Sequence, residues 1–180
     1  MSSLSLLLSS NLPSESSSAQ RKSYVTYTFT SSQDVMKDRL PVTLLESRSI
    51  ISGSGTTGLR TWEAALAMSE YLMVKGGLAL VRNKNVLELG AGTGLLSILC
   101  ARYFEAKHVM ATDGDEGVVE ALTTNIFVNG LEGTGRIDAI PLMWGRALPG
   151  AVHEYASDTH SYDIVIGADI VGGTKRPLLS

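Results

Sequence analysis

Nine residues constrain this chain more than any others: Val86-Leu87-Glu88-Leu89-Gly90-Ala91-Gly92-Thr93-Gly94. An apolar strand passes through a glycine turn directly into an apolar helix, which lets backbone and helix N-terminus approach a ligand closely. The glycines fall at 90, 92 and 94, a Gly-x-Gly-x-Gly spacing that differs from the Gly-x-Gly-x-x-Gly of dinucleotide-binding turns. Taken alone, the three glycines leave a tight helix–strand contact as the competing reading.

The surroundings of this turn read as alternating β and α. Short apolar runs alternate with amphipathic helices from Asn85 onward, the pattern of a parallel sheet covered on both faces. Strands are expected at 85–89, 108–112, 137–142 and 163–168, with helices at 94–104 and 115–129. Asp115 and Glu116 suit the positive start of the second helix, and Gly130 marks its stop. Upstream, β-branched and aromatic residues predict strands over 24–30 and 42–46. Gly53, Gly55 and Gly58 mark a loop, followed by a helix that carries Trp62, Ala65, Leu66, Ser69, Leu72 and Met73 on one side and ends near Gly76-Gly77. The division is therefore a Ser-rich lead at 1–23, a β-containing extension at 24–55 and a Rossmann-like α/β unit at 56–180.

Asp113 lies 23 residues after Gly90, at the end of the second strand of that unit, where a carboxylate can accept from both hydroxyls of a ribose. It also stands where it can cap the next helix. Nicotinamide dinucleotides use a similar strand-loop-helix-strand-acid order, but they need a pyrophosphate held over the helix start. S-adenosyl-L-methionine has no pyrophosphate and presents a sulfonium and an ammonium, which the acidic Glu88 beside the loop suits better. The glycine spacing and Glu88 therefore favour an adenosyl cofactor over a nicotinamide-dependent oxidoreductase.

Composition excludes several classes. The 18 acidic and 15 basic side chains give a net charge of -3, without the basic excess a nucleic-acid binder needs. The single cysteine, Cys100, cannot form an intrachain disulfide and reads as a small buried apolar residue. His108, His153 and His160 show no metal-ligand spacing, and no metal is assigned. The run Leu4 to Leu8 lacks a basic start and is too short for a secretory signal; a Ser-rich transit peptide is the competing reading. No stretch approaches the ~20 apolar residues of a membrane span. A cytoplasmic monomer is expected.

Several blocks in order then carry a resemblance: Gly55-Thr56-Thr57-Gly58-Leu59-Arg60-Thr61-Trp62-Glu63-Ala64-Ala65, the Glu88 to Gly94 loop, Asn125 to Gly130, Leu142-Met143-Trp144 and Ile166-Gly167-Ala168-Asp169. Over residues 42 to 169 the chain resembles the seven-strand protein-lysine methyltransferases of methyltransferase family 16. The Thr56 to Ala65 block looks most like the subgroup that methylates a lysine of translation elongation factor 2. The resemblance implies S-adenosyl-L-methionine as cofactor and elongation factor 2 as protein substrate. It also implies a pocket lined by Trp62, Gly90, Ala91, Gly92, Asp113, Trp144 and Ala168, with Trp144 beside the adenine. An indole offers a broad apolar face for such stacking, though both tryptophans also read as ordinary core or interface aromatics. The family's Asp-x-x-Tyr/Phe motif implies Asp169 as the group that orients the incoming amine; a strand-end cap is the alternative.

The match then fails. Gly172 stands where the family has an aromatic residue, and residues 170–180 cannot encode the three further strands of a complete domain. The expectation is a sheet incomplete after its fourth strand, an exposed edge at Ile164 to Ile166, reduced stability and little or no catalysis. A noncatalytic cofactor-binding fragment is the competing reading, and small-molecule methylation competes within the class.

Overall fold

The structure, a computed structural model, describes residues 22–30, 39–47, 56–73, 75–144 and 161–170. Residues 1–21 of the Ser-rich lead, the glycines at 53 and 55, His153, His160 and Gly172 lie outside the described residues, while Lys22 and Ser23 belong to the first strand.

Four parallel strands form the central sheet: β3 (Asn85–Leu89), β4 (His108–Asp113), β5 (Ile137–Pro141) and β6 (Ile164–Ile166), in spatial order β5-β4-β3-β6. The α/β expectation holds, and each of the four strands stands where periodicity placed it, the first with the expected bounds and the other three shifted by one or two residues at their ends. Val109, Met110, Ala111 and Thr112 are all buried in succession, as a strand covered on both faces requires. The chain runs outward from β3 through β4 to β5, then returns to the other side of β3 as β6. The carboxyl ends of β3 and β6 thus flank a topological switch point, where open α/β sheets bind their ligands.

Helix α3 (Leu95–Arg102) follows β3, and every residue from Leu95 to Ala101 is buried. A helix apolar on all sides must be covered on all sides. The sheet takes one face of α3, and β2 (Arg39–Ser47) together with α1 (Glu63–Met73) packs against it elsewhere. Helix α4 (Glu116–Val128) starts and stops about where its sequence places it, with Asp115 as its N-cap instead of its first residue. The Asp115 side chain accepts from the Val118 N–H at 3.0 Å, and Gly130 takes φ 69° just past the end.

The helix expected to end near Gly76-Gly77 stops at Met73, and a second one, α2 (Lys75–Val81), runs through both glycines. A Cβ on Gly77 would overlap the Tyr71 carbonyl and the Leu72 Cα. Glycine at 77 therefore permits a close helix-to-helix step, where the sequence reading took it for a stop.

The N-terminal strands β1 (Lys22–Thr30) and β2 (Arg39–Ser47) form an antiparallel pair, registered from Lys22 opposite Ser47 to Thr30 opposite Arg39. Leu40, Val42, Leu44 and Glu46 alternate inward, so one face is buried. The outer edge of β2 is closed by side chains and a loop. The Thr43, Leu45 and Ser47 N–H groups donate to Asn129 Oδ1 at 3.1 Å, Asn125 Oδ1 at 2.7 Å and the Leu59 carbonyl at 2.8 Å. Asn129 Nδ2 returns a bond to the Thr43 carbonyl at 2.7 Å, so one amide mimics a strand residue on that edge.

Candidate functional site

The site is built on the loop after β3. Gly90, Gly92 and Gly94 take φ of 63°, 55° and 85°, a region costly for any residue with a Cβ. Gly94 faces a further restriction, because a Cβ there would overlap Leu122 Cδ1 of α4. A Cβ on Gly92 would stand 3.1 Å from the Gly58 carbonyl oxygen. The Thr56 to Trp62 segment therefore lies directly against the loop.

Asp113, at the end of β4, fixes this loop. Its Oδ2 accepts the Gly92 N–H at 3.0 Å and its Oδ1 accepts the Asp115 N–H at 3.1 Å. A carboxylate offers about four lone-pair sites, so two such bonds leave acceptor capacity on both oxygens. The cap of the next helix is Asp115 and not Asp113, which holds the turn before it and keeps lone pairs that suit the ribose reading. The Ala91 N–H donates to the Thr112 carbonyl at 2.8 Å and the Gly94 N–H to the Ala91 carbonyl at 2.8 Å. Three amides that a pyrophosphate would draw on are already committed to protein acceptors. The loop fits a ligand that offers hydroxyls to Asp113 better than one that brings two phosphates to the helix start.

Glu88 does not face this crevice. It is 3% exposed and receives the Ser97 hydroxyl of α3 beneath the loop. Burial pushes its carboxyl up to about 7, partly opposed by the Ser97 hydroxyl and N–H and aided by the nearby Asp113 charge. Its neighbour in the strand pattern is Val86, also buried, so the period of two already places residue 88 on the core face. The sequence reading put it on the cofactor because of its nearness to the glycines along the chain; the pleat sends it inward.

Trp62 is half-buried, donates its indole N–H to the Thr57 carbonyl at 3.2 Å and carries the Arg60 guanidinium 5.7 Å from its ring centre. Ala91 is buried and Ala168 half-buried against the core. Trp144 follows β5 and is 45% exposed. It belongs to the same end of the sheet as Asp113, whose carbonyl accepts the Leu142 N–H at 2.7 Å. Asp169, just beyond β6, is exposed with φ 56°, a left-handed conformation tolerated best by Asn and Asp among residues with a Cβ. Its neighbour Ile170 packs over Gly167, where any Cβ would overlap the Ile170 side chain, and reaches toward Gly90. The structure therefore brings Gly90, Ala91, Gly92, Asp113, Ala168, Asp169 and Trp144 to the carboxyl ends of the strands and sets Glu88 below them.

Three residues escaped the sequence reading: Glu46, Thr61 and Thr93. The Thr61 hydroxyl donates to Glu46 Oε1 at 2.5 Å and contacts the Thr93 hydroxyl at 2.7 Å, all three buried. Their spacing along the chain carries no motif, and only the docked hairpin brings them together.

A family model described as lysine methyltransferase matches residues 47–176. The chain belongs to the lysine methyltransferase family. It is 49% identical over 170 residues to the protein-lysine N-methyltransferase EFM3 of Chaetomium thermophilum, covering 94% of this chain and 50% of that protein. It is 34% identical over 139 residues to the protein-lysine N-methyltransferase EEF2KMT of Homo sapiens, covering 72% of this chain and 40% of that protein. The chain thus spans about half the length, or less, of these relatives. Among solved structures it is similar to a SAM-dependent methyltransferase from Agrobacterium tumefaciens, with TM-score 0.50 and 19% identity over 79% of this chain and 39% of that one. That likeness speaks to the fold, a methyltransferase-type Rossmann-like sheet. Among the described residues no helix is long and apolar enough to cross a membrane.

Proposed function

We propose that this chain forms the cofactor-binding part of an S-adenosyl-L-methionine-dependent protein-lysine N-methyltransferase whose acceptor is a lysine of translation elongation factor 2. The observation that carries the reading is Asp113, tied to the Gly92 N–H at the switch point with acceptor capacity to spare. Family membership supports lysine as the acceptor, and the Thr56 to Ala65 block supports elongation factor 2. The acceptor is a protein in a cytoplasmic setting, and the enzyme acts as a monomer.

When bound, the cofactor supplies an electrophilic methyl group on a sulfonium. Asp113 holds the ribose hydroxyls, and the positive-φ glycines at 90 and 92 keep side-chain atoms out of the space above the loop. Ala91 and Ala168 leave the pocket floor small, while Trp144 and Trp62 offer aromatic faces at its rim. A lysine ammonium, with pKa about 10.4, must lose a proton before it can attack. Asp169, exposed beside the crevice, accepts a hydrogen bond from the incoming amine and orients it in line with the methyl group. Glu88 acts from below, holding the loop through Ser97.

Gly172, in place of the family's aromatic residue, favours a second reading in which the chain binds cofactor without turnover. Incubation with elongation factor 2 and cofactor carrying a labelled methyl separates the two. Label on a lysine of the factor, lost with Asp169→Ala, supports the enzyme; cofactor binding with no label supports the second reading. Absence of cofactor binding sinks both.

A further inference from the structure

Thr93, between Gly92 and Gly94, is held from two sides by hydrogen bonds that lead back to β2. On one side its hydroxyl meets Thr61 at 2.7 Å, and Thr61 passes on to Glu46 of β2 at 2.5 Å. On the other side its carbonyl accepts Asn125 Nδ2 at 2.9 Å, and Asn125 Oδ1 accepts the Leu45 N–H at 2.7 Å. Leu45 and Glu46 are adjacent, so the bonds close a ring that starts and ends on β2 and holds the loop at Thr93. The ring has a direction. A hydroxyl has one proton, and Thr61 gives its proton to the Glu46 carboxylate, so Thr93 must be the donor to Thr61. Tyr27 of β1 donates to the other Glu46 oxygen at 3.3 Å, and burial beside that carboxylate raises the phenol above its ordinary pKa, which keeps it a donor.

We propose that this ring makes the β1–β2 hairpin a positioning device for the cofactor loop, with Thr61 as the residue through which the hairpin sets the position of Thr93 and its flanking glycines. The inference rests on the reading of the loop as a cofactor site. Two glycines in left-handed conformations leave the loop backbone with little restraint of its own. Asp113 fixes it from the crevice side at Gly92, and the ring fixes it from the core side at Thr93. Removal of the Thr61 hydroxyl leaves the buried Thr93 and Glu46 each short of a partner and frees the loop to leave the geometry that Asp113 shares with the ribose.

The test is calorimetric titration of S-adenosylhomocysteine into the 180-residue chain and its Thr61→Val and Thr61→Ser variants, with hydrogen exchange of the 90–94 segment followed in each. Thr61→Val is expected to weaken binding by about tenfold and to speed exchange in the loop. Thr61→Ser, which keeps the hydroxyl, restores binding to within about twofold. Wild-type affinity and loop protection in Thr61→Val overturn the proposal, even if that variant melts at a lower temperature. Should Thr61→Val fail to fold, Tyr27→Phe trims the chain of bonds at its outer end. A loss of about two- to threefold in affinity then supports the proposal, and no loss overturns it. If the unsubstituted chain itself binds no S-adenosylhomocysteine, the reading of the site fails and the proposal falls with it.

Discussion

Asp113 concentrates the account at the scale of single residues, because one carboxylate both anchors the loop and leaves room for a ligand. Asp113→Ala removes the acceptor for the Gly92 and Asp115 N–H groups and is expected to cost about 2 kcal/mol in urea unfolding. The position of this acid is legible from spacing, since one helix and one strand of predictable length separate it from the glycines. Glu88 was misplaced for an equally local reason: nearness in sequence was weighed above strand parity. Its buried carboxyl has a pH consequence. The folded-state pKa of about 7 lies above the ordinary 4.5, so the protonated form is the one the fold favours. Its stability contribution is full below the ordinary value and is lost as pH rises through the folded value. Glu88→Gln should therefore match the parent near about pH 4 and exceed it by up to about 3 kcal/mol near about pH 8. Urea midpoints at the two pH values check this, and equal midpoints at the higher pH would refute it.

The elements read from periodicity were found nearly where expected, and what stayed hidden is how they dock. The strand pattern of residues 24–30 and 42–46 gave no sign that β2 would rest its free edge on two asparagine amides of α4. Asn125 and Asn129 are separated by one helical turn, so they share a face, but a sequence shows only the shared face and not the strand it meets. Asn129→Ala deletes the bonds with the Thr43 N–H and carbonyl and leaves both at an uncovered edge. A loss of about 2 to 4 kcal/mol is expected, with faster hydrogen exchange in β2 than in β4. Equal exchange in the two strands would show that the hairpin is held by its apolar face alone. The second helix, α2, was hidden because Gly76-Gly77 carries the usual mark of a helix end, whereas the space beside Tyr71 requires glycine at 77.

In the whole molecule, the switch point lies beside β6, which is the edge strand of the sheet among the described residues. Strand β6 pairs with β3 only among the described strands, and Val165 is 56% exposed there while Ile166 is buried. Such an edge invites pairing between chains. Val165→Lys should lower light scattering at a given concentration while leaving the melting temperature within about 1 kcal/mol equivalent of stability. The substrate is the part least legible at this scale, since the crevice geometry speaks for an adenosyl ligand and says little about the amine it meets. The most direct test of the account is thermal melting of the chain with S-adenosyl-L-methionine, S-adenosylhomocysteine and NAD, alongside Asp113→Ala. Stabilisation by the first two ligands, none by NAD, and loss of the effect in the variant are expected. Stabilisation by NAD, or an undiminished shift in Asp113→Ala, would contradict it.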